Sequence, residues 1–181
     1  MMKIYASGIK DLTVARYFAA MQVDLAGFEV NAENLPAIKA IKEWILGPLS
    51  VAEPSKEMGP MQAKKLFLES DMDFWLQPYS SLSEVEKRQI YTIPFGQMPA
   101  YPGTFVVQVN TLDNFDDFDP KVYVPSGDSF YYFDLHSISD DWINALSGHD
   151  HFGLLIRAGI EDRPGIKSFD TIDALFEKLG F

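Results

Sequence analysis

The residues with the clearest chemical use lie near the C-terminal end of the chain, around one glycine turn. Leu154-Leu155-Ile156 is an apolar run long enough for a buried parallel strand. Arg157-Ala158-Gly159 follows, and Gly159 is free to take positive φ, which lets backbone approach a ligand closely. Pro164-Gly165 is turn chemistry, and Ser168 is a fair N-cap for a closing helix with Asp170 and Asp173 near its positive end. Ile172, Leu175, Phe176 and Leu179 recur at three- and four-residue steps and form that helix's apolar stripe. Free N–H groups in such a strand–turn–helix unit can hold an anion. Just upstream, His149-Asp150-His151 offers two imidazoles and a carboxylate. The segment reads either as part of a metal site or as a solvated loop. Nothing near it completes a ligand set, so no metal is expected. Glu29 and Glu53 end apolar stretches and are carboxylates open to other chemistry.

The elements that must position these groups alternate along the chain. Lys3 to Ser7 predicts a strand, and Asp11 caps a helix running to about Gln22. Asp24 to Val30 predicts a second strand. Asn34 and Pro36 open a second helix that Gly47-Pro48 closes. Leu49 to Ala52 is a third strand. Ser55 to Glu69 has a helical pattern with an interruption at Gly59-Pro60. Phe74 to Gln77 and Ile90 to Phe95 predict strands around a short helix, Leu82 to Lys87. Repeated β-α units predict a parallel sheet with right-handed crossovers. The middle is less regular. Pro99 and Pro102 exclude a helix between Gln97 and Gly103, and Thr104 to Asn110 reads as a strand. Leu112 to Pro120 reads as a loop and Lys121 to Val124 as a short strand. Phe130 to Leu135 is a firm strand, and Asp140 to Leu146 a short helix.

Composition bounds the answer. The 181 residues are 47% hydrophobic, enough for one buried core and a single domain spanning the chain. There is no cysteine, which excludes disulfides, thiolate catalysis and zinc–thiolate sites. The absence of a long apolar run or a signal-like N-terminus predicts a soluble, cytoplasmic protein. A net charge of −11 argues against nucleic acid or anionic membrane as partners.

Both ends of the chain carry motifs that resemble phosphoribosylanthranilate isomerase, the (β/α)8 barrel of tryptophan biosynthesis. Near the C-terminus, Ala158-Gly159-Ile160-Glu161, Pro164-Gly165-Ile166-Lys167 and Ser168 match that family's S-G-V-E-x-x-P-G-x-K-D. Near the N-terminus, Tyr5-Ala6-Ser7-Gly8-Ile9 and Val23-Asp24-Leu25-Ala26-Gly27-Phe28 match its K-I-C-G-I and G-A-D-x-x-G-F. The resemblance implies an α/β fold, a reduced TIM (β/α)8-like barrel. Such barrels typically need about 250 residues, so one or two outer helices, or one βα unit, must be missing. Two registers are open. Phe130–Leu135 is the sixth strand if its motif and the helix after it are followed, which omits a unit. If Thr104–Asn110 is the sixth and Phe130–Leu135 the seventh, all eight strands are kept and two helices are lost. Closure favours eight strands, because such a barrel leaves no edge exposed.

The resemblance also assigns roles. The family's catalytic cysteine falls on Ser7 and its acid on Asp134, and the activity would be an Amadori, aldose–ketose isomerisation without a cofactor. Ser7 cannot act as a base without an activating partner. The other readings are a small strand-end residue for Ser7 and a loop cap for Asp134. Phosphate would fall to Ala158, Gly159 and Arg157, although Arg157 could instead pair with Glu29 or Asp134. The family's other glycine-rich phosphate runs are absent: His136-Ser137-Ile138-Ser139 stands in place of one. Its loop after the second strand is reduced to Asn31–Asn34. Two functions follow from the resemblance. One is a diverged barrel acting as a binding, scaffold or partner protein, with a small phosphorylated or sugar-like ligand, a protein partner or a second copy of itself. The other is a working isomerase that uses Ser7 and Asp134.

Overall fold

Eight parallel strands, paired in chain order and back from the last to the first, close a barrel in the computed structural model. It describes residues 2–55, 57–78, 88–110, 115–123, 129–135, 138–158 and 169–180. The strands are β1 (Lys3–Ile9), β2 (Leu25–Val30), β3 (Leu49–Pro54), β4 (Phe74–Pro78), β5 (Gln89–Pro94), β6 (Thr104–Val109), β7 (Phe130–Leu135) and β8 (Phe152–Arg157). The register that keeps eight strands is therefore the one adopted, with Phe130–Leu135 as the seventh.

Helices α1 (Leu12–Ala20), α2 (Leu35–Glu43) and α3 (Pro60–Ser70) follow the first three strands. Helix α4 (Asp140–Ser147) precedes β8, and α5 (Asp170–Leu179) follows it. Asp11 caps α1 by accepting from the Val14 N–H at 3.0 Å, and Ser139 caps α4 by accepting from the Trp142 N–H at 3.4 Å. The predicted helix at Leu82–Lys87 and the Ser168 cap lie outside the described residues.

Three expectations are corrected. The helix expected from Ser55 begins at Pro60, so Gly59-Pro60 starts it rather than interrupting it; proline suits a first turn, where its missing N–H costs nothing. Of the strand expected over Lys121–Val124, the described residues 121–123 are not extended. Pro120–Tyr123 forms a 3-10 turn, held by the Lys121 N–H on Asp119 Oδ1 at 2.9 Å. Asn34 precedes α2 without capping it; its side chain accepts from Asn31 N–H and donates to the Glu29 carbonyl, which tightens the turn after β2.

Alternation along each strand sorts the core into two layers. Tyr5, Leu25, Val51, Ile90, Val106, Tyr132 and Leu155 fill the barrel, with the Tyr5 and Tyr132 rings edge to face at 5.7 Å. The opposite faces pack outward against the helices. No helix joins β5 to β6, and the described link between β6 and β7 holds only two 3-10 turns. Aromatic side chains cover the strands instead. Tyr123 is 1% exposed and packs edge to face on Tyr131 and Phe133, and Phe118 packs on Phe133 and Trp142. The Tyr123 hydroxyl also accepts from Gly96 N–H at 2.6 Å, which pins the β5–β6 connection to this cluster. Aromatic rings bury large areas per residue; that is how a short chain seals a barrel flank without the usual helices. Among the described residues, no helix is long and apolar enough to cross a membrane.

Candidate functional site

One step beyond the barrel interior, seven of the eight strands place a residue at the C-terminal mouth. Alternation places Ser7, Gly27, Glu53, Thr92, Gln108, Asp134 and Arg157 there, and Glu29 follows on β2. This is the end at which TIM barrels carry their chemistry. The fold thus brings together Ser7, Asp134 and Arg157, which the sequence separates widely, and adds Glu53.

Glu53 is the centre of the arrangement. It is 9% exposed, yet its carboxylate is well supplied with donors. The Tyr5 hydroxyl donates to Oε1 at 2.5 Å, the Gly8 N–H donates to Oε2 at 2.9 Å, and the Ser7 hydroxyl donates to the same group. To reach these partners from β3, the side chain must cross β2. It does so over Gly27, where a Cβ would stand 2.0 Å from Oε1 and 2.8 Å from the Tyr5 ring. The donor backbone is local in origin. One extra residue bulges β1 between Ala6 and Ile9, and Gly8 sits at φ +75°, so its N–H turns out of the ladder.

The electrostatics follow from burial. Desolvation pushes the Glu53 carboxyl above its ordinary range, against the pull of its hydrogen bonds from Tyr5, Ser7 and Gly8 and the charge of Arg157. Burial, and then the neighbouring Glu53 carboxylate, raise the Tyr5 phenol well above its usual value, so Tyr5 stays a donor. Asp134 and Arg157 form a two-pronged ion pair, with Nε at 3.2 Å from Oδ1 and Nη2 on Oδ2. Arg157 is 71% exposed and Asp134 11%. On the other side of the mouth Lys10 pairs with Glu29 at 2.8 Å. Among the described residues, Glu29, Glu53 and Asp134 thus share this mouth with Lys10 and Arg157, and each of these two cations already has an acid.

The site residues named from the sequence are distributed as follows. Ser7 is half-buried and committed to Glu53; Asp134 is committed to Arg157 and ends the seventh strand, whereas the resemblance placed the family's acid at the end of the sixth. The Ala158 N–H donates to the Ser7 carbonyl at 2.7 Å and so extends the β1–β8 ladder. Gly159, His136 and Ser137 lie outside the described residues. His149, Asp150 and His151 are all exposed, and among the described residues no cluster of three metal-ligating side chains occurs. Sequence reasoning missed the Tyr5–Glu53 link. The signal for it was Gly27, an isolated glycine inside an apolar strand, which marks close approach by another group.

No family model matches the chain, and no curated protein matches it in sequence. A crystal structure of monomers of the dimeric phosphoribosylanthranilate isomerase of Thermotoga maritima matches its fold. The TM-score is 0.67 at 12% identity, over 99% of both chains. The chain therefore resembles phosphoribosylanthranilate isomerase along its whole length in fold, as a closed eight-stranded α/β barrel reduced in its outer helices.

Proposed function

We propose that this chain is a phosphoribosylanthranilate isomerase-like barrel that has lost the Amadori isomerisation and acts as a binding or partner protein. The observation that carries this reading is that both candidate proton-transfer groups are held by neighbours in the fold. Ser7 donates to a buried carboxylate, and the Asp134 carboxylate is closed by the Arg157 fork. A serine whose hydroxyl donates to the Glu53 carboxyl is placed as a donor, whereas the reaction needs a base there. Both Asp134 oxygens accept from the Arg157 fork, so a substrate would have to displace the guanidinium to reach them.

Charge supports the same conclusion. Among the described residues, a phosphorylated substrate would meet a rim whose two cations, Lys10 and Arg157, are each paired with an acid. The Ala158 N–H is spent on the strand ladder, which leaves the exposed Arg157 as the described group best able to meet a phosphate. One arginine falls short of the several charge-assisted contacts that a phosphate normally receives.

The alternative is an active isomerase using Ser7 and Asp134, with phosphate on Arg157, Ala158 and Gly159. The full-length match in fold favours keeping it in view. Purified protein assayed with phosphoribosylanthranilate, together with rescue of a tryptophan auxotroph, separates the two. No turnover above buffer and no rescue are expected. Turnover that disappears in Ser7→Ala or Asp134→Ala would overturn the proposal.

A further inference from the structure

A cavity of about 350 Å³ opens at the N-terminal mouth of the barrel, the end opposite Glu53. Its volume falls at the small end of the range for ligand pockets. The walls are first inward residues of their strands, among them Leu25, Phe74 and Phe130. TIM-barrel interiors are normally filled by side chains. Here β8 contributes Gly153, flanked in register by Lys3 on β1 and Tyr132 on β7. The Tyr132 ring leans over it: a Cβ on Gly153 would stand 2.9 Å from that ring.

Two polar groups on this wall lack the partners their counterparts have elsewhere. Tyr132 is 4% exposed and lines the cavity, and among the described residues its hydroxyl has no hydrogen-bond partner. Tyr5, its neighbour inside the barrel, spends its own hydroxyl on Glu53. Burial, and then the charge of Asp24, raise the Tyr132 phenol, so it remains a donor at neutral pH. Lys3 holds its ammonium 4.9 Å above the Phe130 ring, and no carboxylate among the described residues lies within ion-pair distance of it. Because no side-chain polar atom among the described residues is both buried and unpartnered, the Tyr132 hydroxyl opens to the cavity and can donate to a group bound there, and the Lys3 ammonium on the same lining favours an anion.

We propose that the N-terminal mouth binds a small aromatic carboxylate. The ring would lie against Phe74 and Phe130, and the carboxylate would accept from the Lys3 ammonium and the Tyr132 hydroxyl. Two donors suit a carboxylate better than a phosphate, which draws on more contacts. Asp150, also on the lining, disfavours a dianion further.

The test uses the full chain and 2-naphthoate as probe, measured by titration calorimetry and by the shift of the thermal midpoint. Saturable one-to-one binding is expected, weakened at least tenfold in Lys3→Met and severalfold in Tyr132→Phe. Both changes keep the size of the side chain, so the barrel should still fold. Lys178→Met, which removes a distant surface charge, should bind as wild type does. Several results would each overturn the proposal: no saturation at millimolar probe, equal affinity for 2-naphthylmethanol or 2-naphthylmethylamine, wild-type affinity in Lys3→Met, or an equal loss in Lys178→Met.

Discussion

The Glu53 carboxylate accepts the Tyr5 hydroxyl at 2.5 Å by passing directly over the bare Cα of Gly27. Strands β1 and β3, which are not neighbours in the sheet, are joined through the space that β2 leaves open. The link also recruits Ser7 as one of its donors.

Gly27→Ala should destabilise the protein by about 1–3 kcal/mol, because the added methyl overlaps the carboxylate and the Tyr5 ring. Combining it with Glu53→Ala should cost clearly less than the sum of the two single changes, since the second removes the main clash. Denaturant titration of the four proteins measures this coupling; strict additivity would mean that Glu53 does not occupy the space over Gly27.

Glu53 should make stability depend on pH in a defined direction. Its folded-state pKa is raised, so the native protein holds this proton more tightly than the unfolded chain does. The associated stability is full below the ordinary carboxyl value of about 4.3 and is lost as pH rises through the elevated one. Asp73 acts oppositely. Partial burial would raise its pKa, but the Ser50 hydroxyl and N–H, then Lys42 and Arg88, outweigh that and lower it. Its contribution is therefore lost only as pH falls below the ordinary aspartate range. Relative to wild type, Glu53→Gln should gain in thermal midpoint as pH rises from the ordinary carboxyl value of about 4.3 through the elevated Glu53 value. Parallel pH profiles would show that Glu53 does not titrate in this window.

If the proposed function is right, a thiol at position 7 should not by itself give isomerisation. In Ser7→Cys the new side chain still faces Glu53, and Asp134 remains closed by Arg157. A thiol beside a carboxylate has a raised rather than a lowered pKa when that neighbour is ionised. Turnover of phosphoribosylanthranilate by this variant is expected to equal that of buffer, and fluorescence loss of the substrate would reveal any exception.

The first and last helices are clasped by one tyrosine. The Tyr17 hydroxyl on α1 donates to Asp173 on α5 at 2.5 Å, and its ring stacks on Phe169 at 4.0 Å. Tyr17→Phe should cost about 1 kcal/mol through the lost hydrogen bond. Tyr17→Ala should cost about 3 kcal/mol because the stacked ring goes too. Chemical denaturation of the two variants separates the contributions.

The aromatic flank should be as important to stability as a helix would be. Phe118 contacts Tyr123, Phe133, Trp142 and Phe152, where a βα unit would normally place helical side chains. Phe118→Ala is expected to cost about 3 kcal/mol. A loss below about 0.5 kcal/mol, the level of an ordinary surface change, would show that the ring cluster does not carry this side of the barrel.

What the sequence determined by itself was local. Apolar runs such as Leu154–Ile156 and Phe130–Leu135, capping residues such as Asp11, and the glycine and proline stops all act within a few positions, so all eight strands were legible. The end motifs pointed to the right barrel, and closure selected the right register for Phe130–Leu135. Tertiary structure decided which charges meet. Asp134 could have capped a loop and Arg157 could have faced Glu29. Only the pairing of β7 with β8 puts that carboxylate and that guanidinium side by side on one face. In the same way, nothing in the local pattern of Leu49–Pro54 says that Glu53 reaches Tyr5. That contact spans 48 positions of chain and exists because a glycine on the intervening strand leaves room for it.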